Sequence, residues 1–544
     1  MYASSEGHLM GISTFLSTIY LLVGILVGLA CIAGTIWGAV TYIKARRFGR
    51  QQIVLTVSAV LIFVLIISGI TVLLVHPRVK EITQSNRREY TPTSTLAPTT
   101  ITFPTHTSKS TVTPTSGNIY YVSKNGSNGD GLSWQTAWNE LNQINWSRIQ
   151  PGDTILLDGS STQMVYTTIL TIGKSGTATA PIRIEKATET GRNGKVAIFG
   201  GRSIPLPYCG QTRYVYQISG VISNGIVFGG HEWIIVDGMS WDGIGIYGHS
   251  SHGIDMTNNP SNDIVRNIEI YDNGYASQSG SFWQPDTDGH GVYLDGSNLT
   301  FENMNIHDNS DDEFDTGVGS MNNLIIRHSW LHISREDPNN PGLPFNQCVH
   351  QDGYQIYSGG TQGRILIEDS VVGPGLKEGV ILGASNQGQL VGATVNNVTI
   401  RNSLFTNKVI NIMGYPQIKE SNWTIDHVTV LTPGSGQPVF QSLFLEGSNH
   451  TVTNSVFYGG QIYLPDGLAS SVNNCQWMTV GNTSSIVGQT VDPEFNTDVS
   501  AFSASTPLAQ IANANFALRS DSPCAGRGSS ITSVAQLIHS SPSF

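Results

Sequence analysis

Charge is scarce in this sequence. Asp, Glu, Lys and Arg make up 12% of its 544 residues, about half the roughly 25% of an ordinary globular protein. Long charged helices and coiled coils are therefore excluded as the main architecture. Basic residues are scarcer still beyond the N-terminus. The first 117 residues hold nine of the 28 Lys and Arg and three of the 39 acids, which leaves 19 against 36 in 118–544. Such an acidic surface repels phosphate backbones, so nucleic acid is excluded as a partner. Cysteine is rare too: five residues, no CxxC pair, and no spacing that makes a zinc site. Cys209, Cys348, Cys475 and Cys524 lie far apart and permit three pairings, and buried free thiols are the expectation. No phosphate-binding glycine loop, nucleophile elbow or HExxH is present. What is abundant is glycine, at 59 residues, with Asn, Ser and Thr. That composition favours many short strands joined by polar turns.

The N-terminal stretch differs from the rest. No charged residue occurs from 7 to 43, and apolar runs cover about 11–43 and 53–75. Each exceeds the roughly 20 residues that cross a bilayer as a helix. A cleaved signal peptide would carry basic residues first, yet none precedes Lys44. Two transmembrane helices are predicted within 1–80. Lys44, Arg46, Arg47 and Arg50 lie between them, which places that loop in the cytoplasm and both termini outside. Residues 81–117 form a linker. Of its last 27 residues, 19 are Thr, Ser or Pro, a composition that stays extended. The expected location is the cell membrane, with residues 118–544 as an extracellular domain.

Repeats decide the fold of that domain. Segments beginning at Asn298, Asn322, Gln362, Asn396, Ser421 and Ser448 share a polar turn, alternating apolar residues, an Asn, Asp or His kink and a second alternating run. Successive starts differ by 24, 40, 34, 25 and 27 residues. Strand-only units of this length mean a stacked solenoid. The LxxLxL pattern of leucine-rich repeats is absent, and propeller blades need about 40 residues. The predicted class is all-β, a right-handed parallel β-helix, with a short helix near 137–144 capping the first rung.

The entry segment YYVSKNGSNGDGLSWQTAWNELNQINWSRIQPGDTILLDG, at 120–159, resembles the start of the pectate-lyase-like, right-handed β-helix superfamily. VDPEF at 491–495 and FALRSDSPCAGRG at 516–528 are similar to its ending. The resemblance implies a carbohydrate polymer, a polysaccharide or cell-surface glycan, as ligand. It does not select among lyases, hydrolases, epimerases and binders.

Rungs of a parallel solenoid stack about 4.8 Å apart. Aligned on their strand starts, His290, Asp315, Asp352, Glu378 and Lys408 form one column, with Asp288, Glu313 and His350 two positions earlier and Asp311 and Asp312 beside them. No Lys or Arg occurs from 267 to 326, whereas eleven acids do. Such a ladder needs a bound cation or protonated carboxyl groups. Interruptions of the repeat at 273–286 and 334–348 would wall the groove. Within it His290, Glu313 and Arg335 would contact substrate, and Trp283, Trp330, Tyr354 and Tyr357 offer rings to a sugar.

DTDG at 286–289 and SDD at 310–312 resemble polygalacturonase motifs. That resemblance implies Asp288, Asp311 and Asp312 as hydrolytic carboxylates and His350 as the accompanying histidine. Asp286 departs from that family's Asn, HQDG from its GHG, and no Arg-Ile-Lys follows. Elimination would instead use Ca²⁺ held by Asp315, Asp352 and Glu378, with Lys377 or Arg335 as base. Hydrolysis ranks ahead of elimination on sequence, and a non-catalytic glycan-binding adhesin is the contrasting class.

Overall fold

A computed structural model describes residues 117–540, apart from 203–204, 211–219, 280–281, 286–288, 318, 357–359, 383–393, 415–418, 433–440 and 504. The two expected spans and the linker lie outside the described residues. Among the described residues no helix is long and apolar enough to cross a membrane.

The described residues from Ile119 to Thr490 build an all-β parallel solenoid. Each rung places a short strand in one sheet and longer strands in a second, and consecutive rungs pair in parallel. In the first sheet the pairing stacks Val292, Phe314, Tyr354, Val380, Ile412, Leu443 and Ile462 in one column. All seven are fully buried. Burial of each such side chain contributes roughly 1.5–3 kcal/mol, so the alternating pattern fixes both the register and the core.

The Asn, Asp and His kinks have a backbone cause. Left-handed residues recur in pairs five apart: Asn262 and Asn267, Asn298 and Asn303, Asn323 and His328, Asn422 and His427. Asn and His tolerate this conformation better than branched residues. The paired positions also stack as ladders. Asn303 Nδ2 donates to Asn267 Oδ1 at 3.0 Å, and Asn298 Nδ2 to Asn262 Oδ1 at 3.0 Å.

At the N-terminal end, the expected cap is one 3-10 turn, Leu141–Gln143, with Trp138 and Leu141 buried. Two insertions carry antiparallel hairpins: Ala276–Ser279 with Phe282–Pro285, and Glu336–Asp337 with Asn340–Pro344. At the C-terminal end the solenoid gives way to a tail with short helices Leu508–Ala512 and Val534–Ser540. Phe495, Phe516 and Leu537 of this tail form a second core with Val371, Leu404 and Val456.

The cysteines correct the free-thiol expectation. Cys209 pairs with Cys348 and Cys475 with Cys524, with Cα separations of 5.7 and 5.8 Å. Their distance in sequence hid the pairing, because only the stacking of rungs and the return of the tail bring them together.

Candidate functional site

The ladder forms, but with a register different from the one its strand starts suggest. Val292 lies opposite Phe314, Phe314 opposite Tyr354, and Asp352 opposite Glu378. The position of His290 therefore passes to Asp312, then Asp352, then Glu378. Asp315 sits three residues along, opposite Tyr293 and Gln355 on the outward face. Phe314 decides this, because it fills the core column. An odd-numbered slip exchanges the faces of a strand, so Asp315 comes to the cluster from outside the column. Lys408 also leaves the column, since Glu378 pairs with Ile410.

Backbone donors tie the rungs together at this edge. The Asp352 N–H donates to Asp312 Oδ1 at 2.9 Å, and the Glu378 N–H donates to Asp352 Oδ1 at 3.1 Å. Two imidazoles complete the cluster. His290 Nε2 lies 3.3 Å from Asp315 Oδ2. His350 bridges two acids, with Nδ1 3.0 Å from Asp352 Oδ2 and Nε2 3.2 Å from Glu378 Oε2. Among the described residues no Lys or Arg forms an ion pair with Asp312, Asp315, Asp352 or Glu378. Asp312 and Asp352 are fully buried and Asp315 nearly so, whereas the His350 side chain is 32% exposed.

The electrostatics follow from this crowding. Burial, then repulsion from Asp311, Asp352 and Asp315, holds Asp312 well above the usual carboxylate range. Asp315 rises by burial and by Asp311, and Asp352 by burial and then Glu378. Asp311 thus belongs to the cluster. Burial drives His290 well below the usual histidine range, and His252 lowers it further. His290 stacks on His252 at 5.2 Å and on Tyr293 at 5.1 Å. His252 escaped the sequence reading, although SHGI at 251–254 repeats the pattern of GHGV at 289–292.

Other expected site residues go elsewhere. Glu313 points into the interior, in a column held by Gly291 and Gly353 on neighbouring rungs, and accepts a 2.5 Å hydrogen bond from Asn309. Tyr354 is fully buried and bonds Thr316 through its hydroxyl. Arg335 lies over Phe345 at 3.8 Å, reaches Asp272 at 3.5 Å and donates to the Leu206 carbonyl. Lys377 is exposed and lines a cavity of about 190 Å³ beside the 334–348 insertion. Among the described residues neither of these cations forms an ion pair with Asp312, Asp315, Asp352 or Glu378. Trp330 donates to the Gly373 carbonyl and stacks on His332. Asp288, Tyr357 and the Trp283 side chain lie outside the described residues.

The donor set fits a divalent cation. Asp312 Oδ2 and Asp315 Oδ1 are buried and have no hydrogen-bond partner among the described residues. The ligand atoms of His290, Asp312 and Asp315 all lie within 4.8 Å of one another, as do those of Asp312, His350 and Asp352. Crowded carboxylate oxygens of this kind suit hard cations such as Ca²⁺.

Fold and site together define a parallel β-solenoid with a buried acidic centre on one sheet edge. No protein-family model matches the chain, and no curated protein sequence does. Solved structures similar to it include pectate lyase Pel9A, at 18% identity over 76% of this chain and 92% of that one, with a TM-score of 0.42. A rhamnogalacturonan lyase matches at 13% identity over 76% and 99%, with a TM-score of 0.39. A family 28 exopolygalacturonase from Yersinia enterocolitica matches at 14% over 67% and 75%, also at 0.39.

Proposed function

We propose that this protein is a membrane-tethered, extracellular enzyme that cleaves an acidic polysaccharide by cation-assisted β-elimination. The observation that carries the reading is the convergence of Asp312, Asp315, Asp352 and Glu378, without a Lys or Arg partner among the described residues, beside a partly exposed imidazole. Asp312, Asp315 and Asp352 would hold the cation, which would acidify the carbon next to a substrate carboxylate. His350, partly exposed and beside Asp352 and Glu378, would be the proton acceptor. It would take the proton alpha to the carboxylate; the bond from the next carbon to the glycosidic oxygen breaks as a carbon–carbon double bond forms, and water or the same imidazole returns a proton to the leaving oxygen. Asp352 and Glu378 orient the ring. The two disulfides support an oxidising, extracellular location.

A second reading, hydrolysis, is supported by the raised proton affinity of Asp312 and Asp352, since one carboxyl group of a close pair stays protonated as a general acid. Full burial of both counts against it, because neither reaches a polymer oxygen as the site stands. Incubation of the purified protein with acidic and neutral polysaccharides separates the readings. Ultraviolet absorbance from unsaturated ends, abolished by chelation and by His350→Ala, supports elimination. New reducing ends without that absorbance mean hydrolysis. Glycan binding with no cleavage makes the protein a surface adhesin.

A further inference from the structure

The acidic centre occupies only part of the outward face of the smaller sheet, and its columns run on past it. The column of Asp315 continues through Gln355, Ile381, Met413, Phe444 and Tyr463. The column of Asp352 and Glu378 continues through Ile410, Gln441 and Gln461. Acids give way there to apolar and amide side chains. Phe444 and Tyr463 lie three and four rungs beyond Gln355, about 14 and 19 Å along the axis. Their rings stack at 4.5 Å, and both stay partly exposed, as does Met413. Gln441 Oε1 has no hydrogen-bond partner among the described residues. A pyranose is apolar on its C–H face and polar at its rim, so aromatic rings beside amides match it.

Basic residues are missing along this face. None of the eleven strands of the smaller sheet contains Lys or Arg. From Ile226 onward, neither do the residues that lead from each of these strands to the next strand in the chain. Ahead of the strands, Arg335 is paired with Asp272, and Lys408 donates to the Gly342 and Thr506 carbonyls. Lys377 is exposed, but it adjoins Glu378 and not the later rungs. Two acids, Glu446 and Asp466, follow the Phe444 and Tyr463 strands. They lie close enough that Asp466 adds to burial in raising Glu446 above the usual carboxylate range. A homopolymer of uronates brings one carboxylate per sugar. The cation of the acidic centre and Lys377 would neutralise the nearest ones. Each carboxylate farther along would meet rings, amides and like charge.

We infer that the rungs from Ile410 to Tyr463 take uncharged sugars, so that the substrate is a heteropolysaccharide with a uronate at the acidic centre and neutral residues along Met413, Phe444 and Tyr463. The inference rests on the proposed function for the polysaccharide and its uronate, and it adds the class of sugar beyond them.

The test records binding and cleavage separately on the full-length protein with a divalent cation present. The probes are polygalacturonate and alginate, each intact and with most carboxylates reduced to alcohols. A reduced form should bind at least about tenfold more tightly than its intact parent. Phe444→Ala and Tyr463→Ala should each weaken the reduced form by about three- to tenfold, and Phe444→Arg should narrow the gap between the two forms. Thermal melting checks that the variants fold. If they do not, salt decides on the unsubstituted protein, because affinity for an intact polyuronate should not fall as salt is added. A steep fall would reveal a cationic groove and overturn the inference. So would equal binding of the two forms, tighter binding of the intact ones, or binding of none. Ultraviolet absorbance keeps the two readings apart. Tighter binding of a reduced form without that absorbance leaves the inference standing while elimination falls. Equal cleavage of intact and reduced polymers overturns the inference while elimination stands.

Discussion

At the residue scale, burial and partner decide what each polar side chain does. His307 shows this away from the acidic centre. Its ring stacks between Tyr271 and His332 at 5.2 and 4.8 Å. Nδ1 meets Asp308 at 2.9 Å and Nε2 meets Glu269 at 3.4 Å. Burial alone would lower its pKa, but the bonds to Asp308 and Glu269 raise it to about 10. The folded value therefore lies above the unfolded one of about 6.5. The stabilisation is fully present below pH 6.5 or so and is lost as pH rises through about 10. His307→Gln should cost about 3 kcal/mol at neutral pH and flatten the alkaline decline in urea midpoints. A variant that keeps the full alkaline decline would show that another group causes it. Glu313 teaches the same lesson: a charge-bearing letter beside four acids in sequence becomes an interior acceptor for Asn309.

At the element scale, the kinks and the insertions carry the consequences. Asn303 is buried with φ of 53° and donates to Asn267. Asn303→Gly keeps the backbone and should lose about 1 kcal/mol with the ladder bond. Asn303→Val adds a branched side chain in the left-handed region and should cost about 1–2 kcal/mol more. Equal unfolding midpoints for the two variants would refute a backbone role. The 334–348 insertion has several ties. Asp308 accepts from the Ser334 and Arg335 N–H groups, Lys408 donates to the Gly342 carbonyl at 2.8 Å, and Cys348 joins Cys209. Cys348 lies two residues before His350. Cys348→Ser should therefore speed proteolysis within 334–350 and lower turnover, while the melting temperature of the solenoid changes little. Unchanged cleavage of that segment would show that the remaining ties suffice.

At the scale of the whole molecule, a solenoid has no closed surface of its own and must cover its flanks. The tail does this on one side of the larger sheet, where Phe495, Phe516 and Leu537 shield Val371, Leu404 and Val456. Deleting residues 491–544 should leave the earlier rungs paired but expose this apolar strip, and the product should aggregate. Recovery of a monomeric truncated protein by size exclusion would contradict that role.

The sequence by itself determined the solenoid. Alternating apolar residues, repeats mostly in the twenties and left-handed-tolerant residues at most kinks are local signals. It also marked the neighbourhood of the acidic centre, because eleven acids without a Lys or Arg between 267 and 326 is a compositional fact. Tertiary structure alone decided the register. Asp315-Thr-Gly imitates Asp352-Gly and Glu378-Gly as a strand start, and only the demand of Phe314 for the core column ranks Asp312 above it. The insertions were equally opaque. Their lengths follow no period, so the approach of His350 to Asp352 and Glu378, the contact of Arg335 with Asp272, and the Cys209–Cys348 bond depend on where each excursion folds back. Periodicity propagates along a chain, but a contact across 139 residues exists only once the rungs between have stacked.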